Sequence, residues 1–275
     1  MPQFGGRLEL RMRRYWVESE DFDSREVGGL VRLTGDTLHH IRDVCRQDVG
    51  DRFEVLDDGH AFLVEVVSST KREMQGCIRE VREIEPLPFP RVRLALAIPR
   101  FNVFEAVLEK MVEMGVEEIQ PLFSDNSFLK TDSEAWRGKE ARFQKIIQSA
   151  TQQCGRGEKM RLMPAKKLSE FVGDLSSEIN RGAAVSGLFA YEVGNLPIKE
   201  ALRQGARNSA SSSSEEPKKL VWAFIGGEGG FSREEVQNFA TLGFPAVTLG
   251  RQVLRVETAC VALVSVLKYE LDLMR

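Results

Sequence analysis

The chain has 275 residues, 42% of them hydrophobic and 29% charged, with 38 Lys and Arg against 41 Asp and Glu and a net charge of −3. Such a composition excludes collagen-like, fully disordered and coiled-coil chains, and the length suits two domains better than one. No apolar run reaches the roughly 18 residues needed to cross a bilayer, and no apolar segment follows the N-terminus as a secretory signal would require, so a cytoplasmic protein is expected.

The first 14 residues carry Arg7, Arg11, Arg13 and Arg14 against Glu9, a local +3 in an acidic chain. This is either a solvated basic tail or a focused patch that steers an anionic partner. From Arg14 to about Glu85 the pattern is strand-like. Arg52–Leu56 and Ala61–Val66 flank the turn Asp57-Asp58-Gly59, and Gly76–Val81 alternates on a period of two. Thr34–Cys45 interrupts them as a short helix capped by Thr34. Several short strands and one helix predict a small β-barrel, followed by a linker stiffened by Pro86, Pro88 and Pro90.

Beyond the linker the period changes. Val92–Ile98 reads as a buried strand, and Val103, Val107, Met111 and Met114 form the stripe of a helix that stops at Gly115. A strand at Val116–Phe123 and a helix at Lys139–Cys154 follow, then strands at Ala183–Tyr191, Leu220–Ile225 and Ala246–Leu249. Ser232-Arg233-Glu234-Glu235 is a capping box that opens a helix ending near Gly243, and a last helix runs from Thr258 or Ala259 towards Met274. This alternation predicts an α/β domain with a parallel sheet. Residues 207–219, with four consecutive serines, read as a surface loop.

Two segments carry chemistry. In Phe224-Ile225-Gly226-Gly227-Glu228-Gly229-Gly230-Phe231-Ser232 a strand runs into four glycines and then a capped helix. Glycines there let backbone approach a ligand beyond the carboxyl end of a strand, or make a tight structural turn. Neither the Walker A pattern nor the dinucleotide fingerprint is present. In Leu249-Gly250-Arg251-Gln252-Val253-Leu254-Arg255-Val256-Glu257-Thr258-Ala259 a loop presents two arginines and a glutamate at a helix start. Helix N-termini prefer anions, so these arginines point to a ligand or RNA, or else to an Arg–Glu ion pair holding the loop. Cys45, Cys77, Cys154 and Cys260 form no CxxC and the three histidines no ligand-spaced pair, so reduced thiols and no metal are expected.

These segments resemble the I-G-P-E-G-G-[FL]-S and L-G-x-R-[IV]-L-R-x-E-T-A motifs of the ribosomal small-subunit RNA uridine-N3 methyltransferases, the RsmE family of the SPOUT superfamily. Further matches extend over nearly the whole chain: Arg13-Arg14-Tyr15-Trp16-Val17, His40–Arg46 with Gly50-Asp51, Lys110–Val116, and Gln153-Cys154-Gly155-Arg156. Gly227 departs from the pattern by replacing the usual proline, and Arg100–Val103 carries less charge than usual and no glycine, which argues against an RNA contact there.

The resemblance implies a PUA-like RNA-binding β-barrel over 1–88 and a SPOUT domain over 89–275, with a deep trefoil knot within about 183–275. It implies a homodimer that uses S-adenosyl-L-methionine to methylate N3 of a uridine, position 1498, in 16S rRNA of the small ribosomal subunit. The cofactor walls are expected at Leu188, Phe189, Gly226, Gly227, Glu228, Gly229, Gly230, Leu249, Gly250, Val253, Leu254 and Thr258. Arg255 is the candidate for orienting uracil and stabilising negative charge on its oxygens. Glu257 is the candidate for orienting Arg255 or accepting a proton, the latter disfavoured beside a cation, and Glu228 is expected to be structural. Arg11, Arg13, Arg14 and Arg46 are expected on RNA phosphates, whereas Tyr15, Trp16 and His40 are expected to pack rather than to touch RNA. Loss of turnover in a non-catalytic assembly factor, or action on another RNA, are the competing readings.

Overall fold

In the computed structural model, residues 12–194, 196–202 and 220–274 are described. Arg7, Arg11 and the serine-rich stretch 207–219 lie outside them. Two compact units are present: the described residues up to Pro86 together with Thr151–Lys159, and the described remainder.

The first unit is built on a five-stranded sheet of β1 (Arg14–Trp16), β2 (Leu30–Leu33), β3 (Arg52–Asp57), β4 (His60–Ser69) and β5 (Met74–Glu83), in the order β1–β3–β4–β5–β2. The β3–β4 hairpin closes through Asp58 and Gly59, both at positive φ (36° and 78°), the conformation that matches the twist of flanking strands. The expected helix is present as α1 (Gly35–His39), continued by a wider turn over His40–Val44. Thr34 occupies its N-cap position, but its side chain makes no capping bond. Phe53, Val55, Val64 and Ile78 form the core with Tyr15, while Trp16 packs on Leu56 and Ala61.

The second unit is a parallel α/β sheet. Its strands are β6 (Arg91–Ala97), β7 (Glu118–Phe123), β8 (Arg161–Leu162), β9 (Lys166–Lys167), β10 (Val185–Ala190), β11 (Leu220–Ile225) and β12 (Ala246–Val247), in the order β12–β10–β11–β6–β7–β8, with β9 also on β7. The helices are α2 (Phe101–Glu113), α3 (Glu134–Arg137), α4 (Glu140–Cys154), α5 (Leu168–Asn180), α6 (Arg233–Thr241) and α7 (Val256–Glu270). Strand residues alternate between two cores. Leu94 and Leu96 of β6 with Val221 and Ala223 of β11 face α2, α4 and α7. Ala95 and Ala97 with Trp222 and Phe224 face α5 and α6. A sheet covered on both faces explains why these strands read as continuous apolar runs.

Helix α5 is absent from the expected elements, although Leu168, Phe171, Val172 and Leu175 make a clean i, i+3, i+4, i+7 stripe and are all buried. Helix α7 begins at Val256, two or three residues before the expected start, so Arg255 stands at its N-cap position and Glu257 in its first turn. All strands being parallel, the ends of β6, β10, β11 and β12 share one edge. From β6 the chain moves to β7, whereas from β11 it moves to β12 on the opposite side. That divergence opens a crevice beyond the strand ends, where open α/β sheets place ligands.

Candidate active site at the carboxyl edge of the parallel sheet

A cavity of about 660 Å³ occupies this crevice, within the 300–1,000 Å³ usual for ligand sites. Four connections wall it: Arg100, Asn102 and Val103 after β6, Ala190–Glu192 after β10, Gly226–Glu228 and Gly230 after β11, and Thr248–Glu257 after β12.

The glycine loop is tightly wound. Gly230 lies at φ 65° and donates its amide to the carbonyl of Gly227 at 3.0 Å. A Cβ on Gly226 would stand 2.7 Å from Gly230 Cα, so a side chain there has no room. Helix α6 starts directly behind with the expected reciprocal box: the Ser232 hydroxyl accepts from the Glu235 amide, and the buried Glu235 carboxylate accepts from the Ser232 amide at 2.8 Å. Glu228 links this loop to the connection after β6. Its carboxylate accepts the Arg100 backbone N–H at 3.1 Å, tying the loop to the start of α2, where an anion is favoured.

Gly226, Gly227, Glu228, Gly230, Leu249, Gly250, Val253 and Leu254 line the cavity, as do Arg255 and Glu257. Arg255 is exposed and Glu257 half-buried. Neither Arg251 nor Arg255 forms an ion pair among the described residues, so the Arg–Glu pair considered as a loop brace is not made. Beneath Glu257, burial pushes the Cys260 thiol up, and the nearby Glu257 carboxylate adds to the effect. Cys260 is therefore a neutral core residue.

Leu188, Phe189, Gly229 and Thr258 do not line the cavity. Leu188 points into the core under α2 and α7, and Phe189 into the opposite one, where it stacks on Phe239 at 4.7 Å. The wall of this connection is the next three residues, Ala190, Tyr191 and Glu192, because strand side chains point into the layers and only the chain beyond the strand reaches the edge. Arg100 and Asn102, in the segment that departs from the family pattern, line the cavity. Sequence reading missed Asp125 and Asn126 after β7. The Asn126 amide donates to the Gly229 carbonyl at 3.1 Å, and Asp125 accepts from the Ser232 hydroxyl at 2.6 Å. A polar pair just past a strand on this edge was the available signal.

In the first unit, Arg13 and Arg46 are exposed. Arg13 donates to the half-buried Cys45 thiol at 2.8 Å, and Arg46 adopts a positive φ of 57°. Arg14 is instead held by Glu54 at 2.8 Å with its side chain 20% exposed, which leaves it less free for a phosphate than expected. Arg11 lies outside the described residues. Tyr15 and Trp16 are buried, as a packing role requires, and the exposed His40 lies edge-on to Tyr15. Among the described residues no group of three His, Cys, Asp or Glu is arranged to hold a metal ion, and no helix is long and apolar enough to cross a membrane.

The cavity suits a ligand of nucleoside size with a charged centre. Backbone of two loops supplies amides and carbonyls, Leu249, Val253 and Leu254 supply apolar wall, and Glu192, Glu228 and Glu257 bring negative charge. Comparison with known proteins points the same way. The family model of the RNA methyltransferase domain matches residues 85–268, and that of the RNA methyltransferase PUA domain matches residues 33–76. The ribosomal RNA small subunit methyltransferase E of Mesomycoplasma hyopneumoniae is 31% identical over 85% of this chain and 91% of its own length. The protein of the same name from Bacillus subtilis is 27% identical over 96% and 99%. A Legionella pneumophila protein solved with bound SAM superposes with a TM-score of 0.76 at 27% identity, over 94% of this chain and 98% of that one.

Proposed function

The chain belongs to the ribosomal RNA small subunit methyltransferase E family, and on that premise we propose that it methylates N3 of one uridine, position 1498, in 16S rRNA of the small ribosomal subunit. It is an rRNA methyltransferase, and its cofactor is S-adenosyl-L-methionine. The observation that carries the reading is the meeting of the glycine loop with Arg255 and Glu257 around a single cavity.

Gly226–Gly230 and Leu249–Leu254 would hold the cofactor, the glycines through close backbone approach and the leucines through apolar contact. When bound, the cofactor supplies a methyl group made electrophilic by its sulfonium. Uracil N3 is a poor nucleophile until its proton leaves. An exposed guanidinium such as that of Arg255, with no ion pair among the described residues, can donate hydrogen bonds to the uracil oxygens and stabilise the charge that develops there. Glu257, in the first turn of α7, would orient Arg255 or take the N3 proton. A uridine buried in structured RNA must be turned out of its stack to reach the cavity. Exposed Arg13 and Arg46 would contact phosphates, which fixes register without reading sequence.

The same reading has the first unit, over about 1–88, closing as a PUA-like barrel, and the segment 183–275 of the SPOUT domain threading as a trefoil knot. The return of α7 onto α2 and β11 after the 248–255 loop supports the latter. It has the enzyme acting in the cytoplasm as a homodimer, supported by Val266, Tyr269 and Met274, apolar side chains left exposed near the C-terminus.

The test is transfer of label from S-adenosyl-L-methionine to small subunits lacking their native uridine methylation, with naked RNA alongside, followed by mapping of the labelled nucleotide. Label at N3 of that single uridine, in assembled subunits, is the expected result. Cofactor binding without label on this substrate would point to another RNA, and absence of both would favour a non-catalytic assembly factor.

A further inference from the structure

We propose that Asn126 is a positioning residue for the cofactor loop, supplying from outside the cavity the stiffness that the loop lacks at Gly227. This rests on reading the cavity as the S-adenosyl-L-methionine site.

The segment after β7 is itself fixed. Ser124 and Ser127 are buried, the Ser124 amide donates to the Ser127 hydroxyl at 3.0 Å, and the Phe128 amide donates to the Ile98 carbonyl at 2.8 Å, which anchors the turn beside the end of β6. From this base two side chains reach across. Asn126 donates to the Gly229 carbonyl at 3.1 Å, and its Cβ lies 2.9 Å from where a side chain on Gly229 would begin. Asp125 takes the Ser232 hydroxyl at 2.6 Å, while its own amide donates to the Glu235 carboxylate at 2.8 Å. The start of α6, where the glycine loop ends, is thus tied to this turn. The near end of the loop is held by Glu228 on the Arg100 amide. Between these anchors the Gly229–Gly230 peptide is held at its N–H by the Gly227 carbonyl within the loop and at its carbonyl by Asn126, the side chain that reaches it from outside the loop.

Four glycines around one glutamate give a loop much freedom when released, and a ligand that must order it binds more weakly by that amount. Gly227 is the place where stiffness is missing and could be added. It is not among the glycines at positive φ, and a Cβ on it would meet nothing closer than 3.5 Å. A side chain therefore has room there, and proline is the one that also restricts φ. If Asn126 works by restricting the loop, restricting it by another route must make Asn126 dispensable. A residue that merely contributes to folding has no such coupling to position 227.

The experiment measures S-adenosyl-L-methionine binding by titration calorimetry on the full chain, for wild type, Asn126→Ala, Gly227→Pro and the double variant. Loss of one net hydrogen bond predicts about 3- to 10-fold weaker binding for Asn126→Ala. Gly227→Pro is expected to tighten binding about 2- to 5-fold. In that background Asn126→Ala is expected to cost less than about 2-fold, a non-additivity that marks a shared effect. Hydrogen exchange at 226–230 in the free protein should rise in Asn126→Ala and return in the double variant. Should Asn126→Ala fail to fold, Asn126→Asp takes its place, keeping the shape and losing the donor. Unchanged affinity in Asn126→Ala, or an equal loss in both backgrounds, overturns the proposal while leaving the cofactor reading intact. No binding by wild type overturns both.

Discussion

Arg255 is an exposed cation with no counter-ion among the described residues, standing at the N-cap position of a helix that would favour an acceptor. A residue so placed adds little to folding, so its presence is better explained by the cavity it lines. Arg255→Ala is expected to lower methyl transfer by about 100- to 1,000-fold, the range for removing one preorganised donor. Its unfolding midpoint in urea should stay within about 0.5 kcal/mol of wild type. Activity close to wild type would remove Arg255 from the mechanism. Arg255 and the glycines were legible in sequence because their residue types are costly or rare where they stand. Asn126 was not, because a single amide reaching one carbonyl leaves no pattern of spacing.

The elements were legible wherever an apolar period was joined to a stop or a cap. Helix α6 is the clearest case, since Ser232 and Glu235 both announce it and bond as the box requires. Ser232→Ala removes the cap on the Glu235 amide and the donor to Asp125 together, and is expected to cost about 1–2 kcal/mol in urea denaturation. A change below about 0.3 kcal/mol would mean that the box is redundant. Helix α5 escaped despite its apolar stripe: it starts after Lys167, which offers no capping bond, so nothing marks where the period begins. The start of α7 was read late for a related reason. Its N-cap residue is Arg255, a residue type that sequence reasoning assigns to loops and helix C-termini. Strands β1 and β2, of three and four residues, are too short to show alternation, and their pairing with β3 and β5 is decided by tertiary contact.

At the scale of the molecule the charges set an acid limit. Hydrogen bonds from Arg52 hold the Glu65 carboxyl below its usual range, Arg142 does the same for Glu105, and Arg42 with His39 holds Asp43 at about 2. Each takes up protons less readily in the native chain than in the unfolded one, so each adds stability above its unfolded value and loses it as pH falls. Glu118 works in the opposite sense. Burial raises it in spite of Arg93 and Arg161, so its contribution weakens as pH rises through its native value. With Glu54, lowered, in spite of its burial, by Arg14 and Arg82, four lowered groups against one raised predict a midpoint that falls as pH drops from about 4.5 towards 2. Because Asp43 is exposed and Glu65 and Glu105 are only half-buried, salt should shrink the effect. A flat profile across that range in thermal melts would contradict it.

The four walls of the cavity begin at residues 100, 190, 226 and 248, and they meet only because β6 pairs with β11, more than a hundred positions away in the chain. No short stretch of this polypeptide can form any useful part of the binding surface alone. The ligand-competent state therefore comes into being only after the slowest, most non-local contacts have closed. S-adenosyl-L-methionine should leave the refolding rate untouched and slow unfolding instead, by a factor that grows with its concentration as mass action requires. A stopped-flow series at rising cofactor would show it as one limb of the chevron moving while the other stays still. In a cell, the same asymmetry would make cofactor supply a determinant of how long each finished molecule lasts, and not of how fast new ones are made.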